Sequence, residues 1–171
     1  MKAKYVRSVQ KEYLKQEIEQ NPEIADVRRH ILVLMIVWIV SRAVATAFEL
    51  LGAMQGMWGF QATNITGIAI MACFAAAVYA GERLAGFLPI LGGVVMLVQW
   101  VLYDNLYVML SNEFYPIARI YVALFLLTSL VQVGVFTYIT LSKRIAVLFE
   151  AYKRSVAAAQ QDYANSHLDK L

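Results

Sequence analysis

The sequence predicts an all-α integral membrane protein: a four-helix (tetraspan) bundle with both termini on the cytoplasmic side. Three observations carry this prediction. The 171 residues are 60% hydrophobic and 16% charged, where a soluble domain has about 45–50% apolar and about 25% charged residues. Four apolar runs, at about 31–51, 65–81, 89–110 and 117–141, approach the ~20 residues that a helix needs to cross a hydrocarbon core ~30 Å thick. Lysine and arginine gather in the two chain ends and after the second run, and avoid the other two connections.

Residues 1–20 carry Val6, Val9, Tyr13 and Leu14 at helical spacing among Lys2, Lys4, Arg7, Lys11 and Lys15. That is the pattern of an amphipathic N-terminal helix. It suits an interfacial helix drawn to anionic lipid or a solvated helix packed on its neighbours. Glu12, Glu17 and Glu19 dilute its basic face. Asn21-Pro22-Glu23 then supplies an N-cap, a first-position proline and a first-turn acid, so a new helix starts at Pro22 and runs into the first span. About 29 largely polar residues precede that span, too many for a cleavable signal peptide, and an uncleaved first span is expected.

The first span, 31–51, holds Arg42 near its middle and Glu49 near its end. An ionisable side chain at bilayer depth costs about 2.5–3.5 kcal/mol on insertion scales, so both belong in the protein interior. Residues 52–64 have no charge and place Trp58 and Phe60 at headgroup level. Asn64 begins a glycosylation sequon but reads better as a helix N-cap. In the second span Ala69, Cys73, Ala76 and Ala80 form one stripe of small residues, the expected helix-packing face. Cys73 has no basic partner in sequence and reads as a packing residue. As the only cysteine it forms no intramolecular disulfide.

The third span is the most polar, with Gln99, Tyr103, Asp104 and Asn105. The fourth carries Arg119 in its first turn and Gln132 further on. Beyond it, Ile145, Leu148, Tyr152, Val156, Ala159 and Tyr163 continue at spacings of three and four without Pro or Gly. The fourth helix is therefore expected to extend into the cytoplasm over 145–171, as a coiled-coil seam or a contact for the N-terminal helix. Seven Lys/Arg precede the first span and Lys143-Arg144 follows the fourth, which places both ends inside.

At 1.5 Å rise per residue, Arg42 lies about 16 Å and Glu49 about 27 Å above the inner boundary, with Gln99 about 15 Å and Asp104 about 22 Å. The expected polar seam pairs Arg42 with Asp104, directly or through Gln99, and Glu49 with Arg119. Three readings of that seam stand open: a charge-balanced clasp that sets which helices are neighbours, the lining of a cavity that takes an anionic group, a proton or a cation, or a contact in which one charge faces a partner protein.

The function classes narrow accordingly. A net charge of +3 without an aromatic-interleaved basic patch argues against nucleic acid. His30 and His167 lie outside the apolar runs, which removes a haem held by two histidines and a histidine base for a serine nucleophile. No phosphate-binding glycine loop and no metal-binding acidic motif appears, so neither cofactor nor metal is expected. The expectation is a non-enzymatic subunit of a transport or channel assembly in a plasma membrane of bacterial inner-membrane type. Its partners would be the lipid bilayer and either further copies of itself or a larger membrane protein. The alternative is an accessory or regulatory protein that works through its cytoplasmic helices.

Overall fold

The computed structural model describes residues 2–54, 63–102 and 116–168, and every regular element among them is helical. The elements are α1 (Lys2–Gln20), α2 (Pro22–Met54), α3 (Thr63–Ala80), a 3₁₀ turn (Arg83–Gly86), α4 (Phe87–Leu102), α5 (Pro116–Leu141) and α6 (Lys143–Leu168).

The helix boundaries follow from local chemistry. Asn21 closes α1 through its N–H to the Glu17 carbonyl at 3.1 Å. It opens α2 by accepting the Glu23 N–H on Oδ1 at 3.1 Å, the N-cap geometry expected of its side chain. α3 ends in a Schellman turn: Glu82 N–H reaches the Ala77 carbonyl and Gly81 N–H the Val78 carbonyl, both at 3.0 Å. Gly81 sits there at φ 110°, and a Cβ on it would lie 2.6 Å from the Tyr152 Cβ. Glycine thus serves both the turn and the close approach of α6.

The fourth helix is not continuous into its extension, as the sequence pattern suggested. Ser142 interrupts it, donating its N–H to Tyr138 at 2.9 Å and accepting the Ile145 and Ala146 N–H groups at 3.2 Å. A serine at the head of a helix is a favoured starting residue.

Two rods organise the molecule. α1 and α2 run antiparallel to α6 and α5 in one register from end to end. Tyr5 meets Asp162, Glu17 meets Arg154, Asp26 meets Arg144, Trp38 meets Gln132, and Thr128 meets the Ser41 carbonyl. Each rod is broken once, and that register sets each break against an unbroken helix of the other rod. The apolar stripe of α6 (Ile145, Leu148, Phe149, Ala151) is buried in the same core as Ile24, Val27, Ile31, Met35 and Trp38 of α2 and Phe136 of α5. α3 and α4 flank the rods, and α4 closes on α5 where Gly93 would place a Cβ 2.7 Å from Val133 Cγ2.

The surface is partitioned unlike that of a water-soluble protein. α2 buries one stripe with a period of three and four: Ile24, Val27, Ile31, Met35, Trp38, Arg42, Ala45, Glu49 and Gly52. Its outer face is Leu32, Val33, Ile36, Val37, Ile39 and Val40, each about half exposed. Polar Arg42, Glu49, Thr128, Ser129 and Gln132 are inside and aliphatic groups outside. Among the described residues, α2 and the Arg119–Leu141 part of α5 are long and apolar enough to cross a membrane. Only 28% and 39% of their apolar windows is buried, so neither resembles the core helix of a soluble domain. The apolar stretches Gly67–Ala80 and Arg83–Gln99 are shorter.

Candidate functional site: a buried polar seam

The seam lies where α2, α4 and α5 meet. Its part around Trp38 and Gln132 is a chain of neutral hydrogen bonds. Trp38 Nε1–H donates to Gln132 Oε1 at 3.1 Å, and Gln132 Nε2–H donates to the Pro89 carbonyl at 2.8 Å. One amide from α5 thereby ties α2 to α4, and with 2% exposure it does so out of solvent. Trp38 also packs edge-on against Phe136, with ring centroids 5.2 Å apart. One turn further along, Thr128 Oγ1–H donates to the Ser41 carbonyl at 3.0 Å, Ser41 Oγ–H to the Trp38 carbonyl at 2.7 Å, and Ser129 Oγ–H to the Phe125 carbonyl at 2.9 Å.

The charged part stands above this ladder. Arg42 is 7% exposed and Glu49, two turns along the same face of α2, is 5% exposed. The Arg42 guanidinium lies 5.4 Å from the centroid of the Phe125 ring, and its Nη2 is 3.5 Å from Met96 Sδ. Glu49 and Tyr121 are both near enough to act on the Arg42 charge, and each makes contacts of its own. A cation over an aromatic face with soft sulfur beside it is favourable, and the carboxylate on the same helix face supplies the opposite charge.

Of the expected residues the structure describes Arg42, Glu49, Gln99 and Arg119. Arg42 and Glu49 share one buried face. Gln99 is exposed, and Met96, one turn earlier on α4, takes its place beside Arg42. Height along a helix follows from residue count, but rotation about its axis does not. The inward face of α4 runs through Pro89, Gly93 and Met96, and Gln99 falls off it. Arg119 is likewise exposed while Glu49 is buried. Asp104 lies outside the described residues.

The small stripe of α3 is also placed differently. Ala69, Cys73, Ala76 and Ala80 are all exposed, and the inward face is Ala75 and Val78 with Met71 and Phe74 beside them. A helix at the rim of a bundle has one covered face, and here the larger side chains fill it, since they offer more dispersion contact.

Gln132 and Trp38 are seam residues that the sequence alone does not single out. The signal for Gln132 was present, an amide inside an otherwise aliphatic run, but a single amide names no partner. His30 lies on α2 two turns before Trp38, edge-on to Tyr138 with ring centroids 5.9 Å apart. Among the described residues no three His, Cys, Asp or Glu side chains are grouped to hold a metal. The seam can orient a polar or anionic group or lock helices together. Comparisons of the chain with protein-family models, with curated proteins and with solved structures return no match.

Proposed function

We propose that the chain is a small non-enzymatic subunit of a membrane transport or channel assembly, with four spans, both termini in the cytoplasm and the α2–α4–α5 seam as its working part. It would reside in a plasma membrane of bacterial inner-membrane type. The observation that carries the reading is Arg42. It is a permanent cation, buried, inside a zone whose outer surface is Leu, Val and Ile. A charge at that depth costs several kcal/mol and in membrane proteins marks a pathway or a paired site. The outward small-residue stripe of α3 supports assembly with further copies or a larger partner, because small side chains let membrane helices approach closely.

Reconstitution of the full chain in liposomes tests the proposal. Arg42→Gln is expected to abolish proton or small-ion flux while the chain still melts as the native protein does. If Arg42→Gln only lowers stability, and the double variant Arg42→Met/Glu49→Leu restores it, the seam is a clasp and the transport reading falls.

The α1–α6 pair favours a second reading, an accessory protein acting through its cytoplasmic helices. Truncation after Val156 tests it better than removal of the whole of α6, because Ile145, Leu148, Phe149 and Ala151 belong to the core. Loss of a membrane partner with the spans intact would support the accessory role.

A further inference from the structure

Where the α3–α4 connection meets α6, the structure holds a second feature that the transport reading does not use. A cavity of about 610 Å³ opens between the α3–α4 connection and α6, lined in part by Glu82, Arg83, Leu84, Phe87, Lys153 and Val156. Its walls are mainly apolar. Its charges are two cations and one carboxylate, and among the described residues none of the three makes an ion pair. Arg83 is held in place by its Nε–H, which donates to the Thr140 carbonyl at 2.8 Å, and its terminal nitrogens remain for another acceptor. Leu84 and Phe87 are 72% and 46% exposed at the mouth, large apolar groups beside a charged pocket. Gly81, pressed against Tyr152, keeps the connection close to α6, and both residues line the cavity.

We propose that this cavity binds the headgroup of a membrane phospholipid that carries both a phosphate and an ammonium, a phosphoethanolamine lipid of the inner leaflet. Arg83 and Lys153 take the phosphate, Glu82 takes the ammonium, and the acyl chains leave past Leu84 and Phe87 into the bilayer. The charge pattern selects this class. Two cations suit a phosphate diester through charge-assisted hydrogen bonds. A carboxylate beside them disfavours a purely anionic headgroup and favours one with an amine, and a quaternary amine has no N–H to donate to it. Leu84 and Phe87 require a ligand with hydrocarbon attached. The position suits it too, since the cavity lies just past Ala80 and Leu141, where the apolar outer faces of α3 and α5 end. The inference rests on the reading of the chain as membrane-spanning.

The test has two stages, both on the full chain. Membranes are first washed with alkaline carbonate. A chain released by the wash overturns the membrane reading and the lipid site with it. The retained chain is then purified, stripped of lipid and offered equimolar phosphatidylethanolamine, phosphatidylglycerol and phosphatidylcholine, with bound lipid counted by native mass spectrometry. Phosphatidylethanolamine is expected to dominate. Lys153→Gln, at an exposed position, is expected to lower its retention about five- to tenfold, the loss of one charge-assisted contact. Glu82→Gln is expected to keep total binding and erase the preference over phosphatidylglycerol. Equal retention of the three lipids by the unsubstituted chain, or variants that bind as it does, would overturn the lipid site and leave the membrane reading standing. Chainless glycerophosphoethanolamine competing at the same concentration as the lipid would overturn it as well, by showing a water-soluble phosphate ester to be the ligand.

Discussion

The bond most worth breaking is the Gln132 amide, because it ties three helices at once. Gln132→Leu keeps nearly the same volume, so no cavity term enters. It removes the acceptor of Trp38 Nε1–H, 3.1 Å away, and the donor to the Pro89 carbonyl, 2.8 Å away. An unsatisfied buried donor costs about 1–3 kcal/mol in water-soluble proteins, whereas side-chain hydrogen bonds between membrane helices average about 0.6 and reach about 1.7 kcal/mol. The Pro89 carbonyl keeps its helical position and loses only a second partner, so the Trp38 donor dominates. The expected destabilisation is about 1–2 kcal/mol, roughly a tenfold shift in the unfolding equilibrium. Trp38→Phe removes the donor, at the added cost of a smaller ring against Phe136. A double-mutant cycle of Trp38→Phe and Gln132→Leu, measured by reversible unfolding in bicelles, isolates the bond. A coupling of about 0.5–1.5 kcal/mol is expected. A coupling within about 0.3 kcal/mol of zero would show that the amide is bystander polarity and would refute the tie.

Two further outcomes follow from named contacts, and a third tests the proposed topology. Gly81→Ala meets both a left-handed φ of 110° and the Tyr152 Cβ at 2.6 Å, and is expected to cost about 1–3 kcal/mol, read as lost protection of the α3–α4 connection in hydrogen exchange. The Glu17 carboxylate is held below its ordinary pKa by the hydrogen bonds from Arg154. Its contribution is therefore full above the ordinary carboxylate range and is lost as pH falls through the depressed value. With both side chains substantially exposed, the effect stays under about 1 kcal/mol. Acidification through that depressed value is therefore expected to loosen α1 on α6 only slightly, read as a small broadening of the distance between spin labels on the two helices, and this pH-dependent part should disappear in Glu17→Gln. Finally, in a Cys73→Ala background, Ser8→Cys and Gln160→Cys should resist an impermeant maleimide added outside spheroplasts while Gln55→Cys reacts. The reverse labelling would overturn the cytoplasmic placement of both ends.

Much of the chain was legible residue by residue. Asn21-Pro22-Glu23 predicts the break between α1 and α2 because an amide cap and a ring without an N–H act locally. The seven-residue spacing of Arg42 and Glu49 puts both on one face of α2, and both are buried. Absence of an N–H or presence of a charge inside an apolar run is decided within one or two turns, so sequence suffices for it.

What tertiary structure alone decided is which way each helix faces. The apolar runs of α2, α3 and α5 are aliphatic almost all round, and a helix without a polar side gives its periodicity no direction. That is why Gln99 could be placed at the height of Arg42 yet turn away from it, and why the alanine stripe of α3 lies outside while Ala75 and Val78 lie within. In water the hydrophobic effect orients a helix through its polar face. In a surface that is as apolar as the core, orientation comes from close packing and from the few hydrogen bonds that need a partner, and those partners stand far away in sequence. Gln132 finds Trp38 and Pro89, Arg42 finds Phe125 and Met96, and α6 finds α1, by the antiparallel register of the two rods. The sequence by itself determined the helical class, the break at Asn21-Pro22 and the presence of polar groups inside an apolar zone; the fold determined the break at Ser142 and which of those groups meet.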